Sequence, residues 1–213
     1  VGFVSSLASA LDARDRYTAG HSHRVSVMAT ATARHMELGE AEVETIRIGA
    51  LLHDIGKIGV PDQILQKTGA LTKEEFDQIK QHPGIGKRIL EPVGGFEEYL
   101  PIVELHHENW DGSGYPHGLR GEEVPVGARI VHVVDAYDAI TTDRPYRPGM
   151  PHEKAVSLLR QFSGTQFDAV AVEAFLATGS GPAQKATGEG VNVSLENLVN
   201  AVANSTAPVE QER

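Results

Sequence analysis

Apolar residues recur at helical spacing along most of the 213-residue chain, and this periodicity constrains the fold more than any other feature. One stripe follows the i, i+3, i+4, i+7 rule of a buried helix face and consists of Val25, Met28, Ala29, Thr32 and Met36. The pattern predicts an all-α chain. The predicted helices cover residues 3–16, 20–35, 40–55, 73–82, 97–109, 129–141, 153–160 and 167–177.

Local signals mark several helix boundaries. Thr72 and Glu75 have the spacing of a capping box, and Gly56 is a natural helix stop. Residues 129–141 are rich in Val, which also suits a strand, but their apolar positions fit a helical stripe better than strict alternation. Residues 110–118 are expected to be a loop, because their glycines and proline exclude a regular element.

Composition excludes several classes of protein. Hydrophobic residues make up 40% and charged residues 23%, which is typical of a packed core and not of wholesale disorder. The net charge of −10 repels phosphate backbones, so no DNA or RNA partner is expected, and an anionic substrate needs a local positive site. The absence of Cys removes disulfides, thiolate metal sites and Cys nucleophiles.

The sequence also predicts the domain organisation and the compartment. No apolar stretch approaches the ~20 residues of a membrane span, so no membrane contact is expected. Residues 1–178 are predicted to form one domain, and residues 179–213 a flexible linker followed by a short C-terminal helix or a disordered tail. With no signal-peptide pattern and a start at Val1, we expect a cytoplasmic domain of a longer protein.

Histidines and aspartates fall on the inward faces of the predicted helices. A single buried His or Asp is usually satisfied by hydrogen bonds within the core. Several such groups left unpaired would cost several kcal/mol each, whereas one shared cation satisfies all of them. Nitrogen and oxygen ligands without sulfur suit iron, manganese, zinc or nickel. The residues with this placement are His21, His53, Asp54, His106, His107 and Asp135.

Longer motifs surround these residues. They are YTAGHSHRV at residues 17–25, HDIGK at 53–57, HP at 82–83, HHENWDGSGYP at 106–116, DAYD at 135–138 and RPYR at 144–147. With these motifs in this order, residues 7–177 resemble the HD-GYP family, a branch of the HD phosphohydrolases.

The resemblance implies a helical bundle around a buried di-metal centre that hydrolyses cyclic di-GMP to the linear dinucleotide and on to GMP. His21, His53, Asp54 and Asp135 match the ligands shared by HD enzymes, and Asp54 matches the bridge. His82, His106 and His107 match the further ligands of this branch. Two divalent ions are expected, with iron or manganese first and zinc or nickel as alternatives. Where some members carry a Glu that holds a third ion, this chain has Tyr17.

The expected chemistry is attack by a metal-bridging hydroxide on the phosphodiester. Asp54 and Lys57 are the candidate catalytic residues, Lys57 being placed to contact a phosphate oxygen or to assist the leaving 3′-oxygen. Arg144 and Arg147 are candidates for gripping phosphate or guanine, with a salt bridge to Asp138 or Asp143 as the structural alternative.

Tyr115 is a candidate for stacking on a base, although a tight structural loop explains the neighbouring glycines equally well. Trp110 is expected to be a packing anchor.

Two alternatives to cyclic di-GMP hydrolysis stay open. The first is an HD phosphohydrolase for another cyclic dinucleotide or a nucleotide. The second is a di-iron redox or sensing domain. The expected partners are an upstream sensor or receiver domain, a diguanylate cyclase domain and a second copy of the chain that docks through residues 3–11.

Overall fold

The computed structural model describes residues 2–14, 20–67, 69–143 and 148–179. Within these ranges the chain is helical and contains no strand, which confirms the all-α prediction. Two short 3₁₀ helices, Ile55–Gly59 and Gly121–Glu123, accompany the α-helices. The α-helices are α1 Gly2–Arg14, α2 His21–His35, α3 Glu40–Leu52, α4 Asp62–Leu65, α5 Lys73–Ile79, α6 His82–Leu90, α7 Leu100–Leu105, α8 Val126–Thr141, α9 His152–Gln161 and α10 Ala169–Ala177.

Helix α8 lies at the centre of the bundle. It packs against α2, α3, α7, α9 and α10, and its side chains are buried from Ile130 through Ile140. A helix that is buried on every side needs neighbours all round, and these five helices provide them. Residues 129–141 form a helix and not a strand, as their apolar spacing predicted. The same burial carries Asp135 into the interior.

Helix α1 covers one side of the bundle. Val4, Ala8 and Leu11 pack against Ile48 and Leu52 of α3 in a second, smaller core. This apolar face of α1 is therefore used within the chain. A homodimer through residues 3–11 stays a prediction.

Two predicted helices are shorter in the structure. The helix predicted over 40–55 ends at Leu52, and the chain continues as the 3₁₀ turn Ile55–Gly59. A β-carbon on Gly56 would lie 1.8 Å from the carbonyl oxygen of His82, so the turn packs backbone to backbone on α6. The helix predicted over 97–109 is limited to Leu100–Leu105, which leaves the histidines that follow it outside the regular hydrogen-bond pattern.

The predicted capping box is present. Thr72 Oγ1 accepts from the backbone N–H of Glu75 at 3.3 Å, and Glu75 Oε2 accepts from that of Thr72 at 2.7 Å. Helix α5 nevertheless ends at Ile79 and not at His82, which opens α6. Residues 180–213, including the predicted C-terminal helix, lie outside the described residues, as does Tyr17. No helix in the described part of the chain combines the length and the apolar character that crossing a membrane requires.

Candidate metal centre

Helix ends bring the predicted ligands together. His21 and His82 are the first residues of α2 and α6, while His53–Asp54 and His106–His107 directly follow α3 and α7. Asp135 is the exception, since it comes from the middle of α8. All seven predicted ligands are buried. The structure therefore collects, from five segments, the six residues that the sequence marked as inward-facing and His82, which was predicted from the family resemblance.

One cluster of ligands lies between α2, α3 and α8. Ligand atoms of His21, His53 and Asp54 all lie within 4.8 Å of one another. Asp135 Oδ1 lies 3.2 Å from His21 Nε2 and 3.9 Å from His53 Nε2, so its carboxylate faces the same point. This first cluster offers two imidazole nitrogens and two carboxylates.

A second cluster lies beside the first and contains His82, His106 and His107, whose ligand atoms also lie within 4.8 Å of one another. Asp54 connects the two clusters. Its Oδ2 lies 3.5 Å from His53 Nε2, and its Oδ1 lies 3.3 Å from His82 Nε2. The two oxygens of one carboxylate thus face different clusters, which is the arrangement of a bridging ligand.

Hydrogen bonds determine which ring nitrogen of each histidine carries the proton. The Nδ1 of His53, His82 and His106 lies 2.7, 2.8 and 3.0 Å from the backbone carbonyl oxygen three residues earlier. Because a carbonyl only accepts, Nδ1 is the donor and Nε2 keeps its lone pair.

Two observations on Nε2 atoms test whether a metal ion fits. His82 Nε2 and His106 Nε2 lie 3.3 Å apart, so two lone pairs face each other. The buried Nε2 atom of His53 has no hydrogen-bond partner among the described residues, and that of His21 faces the Asp135 carboxylate at 3.2 Å. A cation in each cluster would satisfy these atoms, and the nitrogen and carboxylate donors suit iron, manganese or zinc.

Asp138 holds His21 in place. Its Oδ2 accepts from His21 Nδ1 at 2.7 Å, and Arg24 Nε and Nη2 donate to the same carboxylate at 2.6 and 2.8 Å. A carboxylate behind a ligand histidine orients the ring and raises its basicity. From the sequence, Asp138 was expected only as a salt-bridge partner of Arg144 or Arg147, and its contact with His21 was not predicted. The available signal was spacing, because Arg24 and Asp138 each lie three residues after a ligand.

Lys57 lies inside the site. It is the one lysine among the described residues that is buried, and its Nζ lies 2.7 Å from Asp54 Oδ2. Burial alone would raise the pKa of Asp54, but the charges of Lys57 and the nearby histidines hold this pKa well below its usual range. Asp54 is therefore a carboxylate at neutral pH.

The two clusters differ in their electrostatics. Burial lowers the pKa of His82 to about 4 despite the attraction of Asp54, so its imidazole is neutral at pH 7. Burial also lowers the pKa of His106 and His107 well below the usual range. For His21, burial acts in the same direction, but the carboxylates of Asp135 and Asp138 prevail and raise its pKa to about 10, so an ion that binds at Nε2 would displace a proton. Neutral imidazoles in the second cluster are ready to act as ligands.

The remaining predicted residues have different placements. The Tyr115 ring stacks on the His107 ring, with centroids 4.9 Å apart, and its buried hydroxyl has no hydrogen-bond partner among the described residues. The Trp110 ring packs against the Arg129 guanidinium at 5.6 Å, in keeping with a packing anchor. Arg144 and Arg147 lie outside the described residues.

Comparison with known proteins identifies the class. The family model for the HD domain matches residues 5–170, so the chain belongs to the HD domain family. A cyclic di-GMP phosphodiesterase of Thermotoga maritima is 44% identical over 170 residues, covering 76% of this chain and 45% of that protein. The 3′3′-cGAMP-specific phosphodiesterase 3 of Vibrio cholerae is 38% identical over 165 residues, covering 78% and 36%.

Solved structures agree on the fold. A cyclic GMP-AMP specific phosphodiesterase of V. cholerae superposes with a TM-score of 0.66 at 19% identity, covering 84% of this chain and 48% of that one. These matches confirm the resemblance to HD-GYP proteins. The chain spans less than half the length of the two curated relatives described above.

Proposed function

We propose that the protein is a metal-dependent phosphodiesterase that hydrolyses cyclic di-GMP. The observation that carries the proposal is the pair of buried ligand clusters joined by Asp54. In the first cluster His53 Nε2 has no hydrogen-bond partner among the described residues, and in the second the lone pairs of His82 Nε2 and His106 Nε2 face each other at 3.3 Å. The names of the relatives support a cyclic dinucleotide as the substrate, and the 44% identical relative supports cyclic di-GMP.

Seven residues would hold two divalent ions, of which iron and manganese are the preferred candidates. One ion fits His21, His53 and Asp135, the other fits His82, His106 and His107, and Asp54 is shared. Such ions supply positive charge to a phosphate and acidify water. Burial excludes bulk water from the clusters, which strengthens every charge interaction there.

Lys57 is proposed to act on the substrate. Its buried ammonium group lies next to the bridging carboxylate, where a phosphate bound between the clusters would arrive. From there it can donate to a phosphate oxygen or give a proton to the leaving 3′-oxygen. On a chain with a net charge of −10, this lysine supplies local positive charge.

Recognition of the nucleotide is assigned to Arg144 and Arg147, and to Tyr115 at the edge of the site. A guanidinium group binds phosphate or the edge of guanine with two hydrogen bonds. For Tyr115, one ring face is already occupied by His107, so a base would have to contact its other face or its edge. The proposed products are the linear dinucleotide first and GMP after a second cleavage.

A second candidate substrate is 3′3′-cGAMP, which differs from cyclic di-GMP in one base. It is favoured by the 38% identity to the V. cholerae enzyme named for that substrate. The phosphodiester and the metal chemistry are the same for both candidates, so discrimination depends on the contacts to the bases.

A single assay on one preparation tests these proposals. The protein is reconstituted with Mn²⁺ or Fe²⁺ without oxygen, its metal content is measured, and it is then incubated with cyclic di-GMP or 3′3′-cGAMP. Chromatography should show the linear dinucleotide appearing before GMP, with faster turnover of cyclic di-GMP. Asp54→Asn is the inactive control. A fully loaded protein that cleaves neither substrate but consumes oxygen would overturn the proposal in favour of a redox domain.

Three macromolecular partners are proposed besides the substrate. The length of the two curated relatives beyond the matched region supports an additional sensor or receiver domain in the full-length protein. A diguanylate cyclase domain, contacted through the loop that contains Tyr115, and a second copy of the chain are further proposed partners.

A further inference from the structure

His107 differs from the other four ligand histidines in how its ring is held. The rings of His53, His82 and His106 donate to backbone carbonyls, and that of His21 donates to a carboxylate. No hydrogen bond among the described residues involves the His107 ring. Its position must therefore come from the backbone on either side of it and from ring packing.

The backbone around His107 is fixed from two sides. His132, on α8, is buried, and its Nδ1 donates to the carbonyl oxygen of His106 at 2.7 Å, which pins the peptide that joins His106 to His107. The backbone N–H of Tyr115 donates to the carbonyl oxygen of His107 at 3.1 Å, and the Tyr115 ring stacks on the imidazole.

Glu108 fixes the loop that contains Tyr115. Its carboxylate is buried and accepts from the backbone N–H groups of His117, Gly118 and Leu119 at 2.6, 3.2 and 3.1 Å. Three backbone donors satisfy a buried carboxylate without a cation. The loop folds so closely on residues 107–109 that a β-carbon on Gly114 would lie 2.5 Å from the His107 carbonyl oxygen.

We propose that His132 and Glu108 are positioning residues for the ligand His107. Helix α7 ends at Leu105, and after it a single-turn hydrogen bond from the Glu108 N–H to the Leu105 carbonyl oxygen, at 3.0 Å, takes the place of the regular α-helical pattern. His132 holds the peptide between His106 and His107. Glu108 holds the loop that contains Tyr115, and the Tyr115 ring covers the His107 ring. The second metal ion therefore depends on these two residues, although neither touches it. This inference rests on the proposed function, because it needs an ion in the second cluster.

Substitutions at position 132 separate positioning from simple packing. Asn carries an N–H donor close to the place of Nδ1, whereas Leu fills similar space without a donor. His132→Leu should weaken binding of the second ion by roughly tenfold to a hundredfold, the range for residues that support metal ligands. His132→Asn should retain most of the affinity. Glu108→Gln, which replaces one acceptor oxygen by a donor, should weaken the same ion.

The experiment measures stepwise Mn²⁺ dissociation constants by following free Mn²⁺ with EPR, together with thermal melting of the metal-free variants. His82→Ala is the reference, since it removes a ligand of the second cluster directly. The Mn²⁺ affinity of the second cluster in His132→Leu should approach that in His82→Ala. In the double variant, the affinity for the one remaining ion should differ little from that in His82→Ala. His152→Leu is the control, because His152 contacts α8 through the Tyr137 hydroxyl, at 2.8 Å.

Each outcome decides the inference. Wild-type protein that binds no Mn²⁺ would refute the proposed function itself. Wild-type protein with two ions, and a His132→Leu variant with unchanged constants, would refute only the positioning role. Equal weakening of both ions, or an Asn variant as weak as the Leu variant, would reduce His132 to a packing residue. If His132→Leu fails to fold, the comparison of Glu108→Gln with wild type carries the same test.

Discussion

Removal of the Asp138 carboxylate tests how the first metal cluster is organised. This side chain accepts from His21 Nδ1 at 2.7 Å and from Arg24 Nε at 2.6 Å. Asp138→Ala leaves His21 Nδ1 without an acceptor, so the ring can rotate and can shift its proton to Nε2, the atom that faces the metal site. Asp138→Asn keeps one oxygen that can still accept from His21.

The magnitude follows from the bond that is lost. A hydrogen bond to a charged group contributes about 1.5–3 kcal/mol, and every 1.4 kcal/mol is about tenfold in affinity. We therefore expect roughly tenfold to hundredfold weaker binding of the first ion in Asp138→Ala, and a smaller loss in Asp138→Asn. The lost ion pair with Arg24 adds little, because that side chain is 40% exposed. The assay is Mn²⁺ titration with metal analysis of the purified variants.

Asp168→Ala is the matched control. Asp168 is also buried and paired with an arginine, Arg129, and it caps α10 by accepting from the backbone N–H of Val170 at 2.8 Å. Its loss should lower the melting temperature and leave metal affinity unchanged. The reasoning fails if Asp138→Ala binds Mn²⁺ as tightly as wild type, or if Asp168→Ala loses metal to the same extent.

Four further predictions concern the metals, the substrate and pH. His82→Ala should keep the fold but lose one ion and nearly all hydrolysis, and full metal content with normal turnover would contradict its assignment. Arg147→Ala should raise KM roughly tenfold to a hundredfold and leave the metal content unchanged, because it removes a charge-assisted hydrogen bond worth about 1.5–3 kcal/mol. If KM and kcat are both unchanged, Arg147 is only a surface residue. Two ions per chain are expected, because the neutral phenol of Tyr17 is a poor ligand; three fully occupied anomalous peaks, or a tyrosinate–iron band in the visible spectrum, would disprove this. With metal removed by excess chelator, the free energy of unfolding should fall as pH drops from 6.5 to about 4. Burial lowers the pKa of His82 to about 4, so in this window its imidazole is protonated in the unfolded chain and neutral in the folded chain. Denaturant titrations at pH 7, 5.5 and 4.5 measure this loss, and a flat profile would contradict it.

Helical periodicity predicted that six of the seven candidate ligands are buried, and the structure buries them, whereas His82 was predicted only from the family resemblance. His21, four residues before Val25 and on the same helix face, is buried, whereas His23 lies off that face and is exposed. Asp135 lies inside a helix that is buried from Ile130 to Ile140, and the apolar residues around it predicted this inward position. These inferences succeed because successive residues of a helix point about 100° apart, and burying the apolar stripe then determines the direction of every other side chain.

Helix ends were less predictable. The apolar stripe predicted a helix through residue 55, but α3 ends at Leu52. The chain leaves the helix there and brings Gly56 against the backbone of His82, a residue of another helix, and this contact cannot be read from the stripe. The helix predicted through residue 109 likewise ends at Leu105, after which a single turn closed by Glu108 N–H on the Leu105 carbonyl leads into contacts with the loop around Tyr115.

The sequence by itself therefore determined the helical class, the inward-facing histidines and aspartates, and the motifs of the family. Only the tertiary structure decided which atoms meet. His21 and Asp138 are 117 residues apart in sequence. His132, in α8, donates to the carbonyl oxygen of His106, which follows α7. Helical periodicity is a local property that specifies the direction of a side chain from its own axis. The separation and rotation of neighbouring helices depend on packing of the whole core, and this packing sets the distances between metal ligands and the residues that hold them.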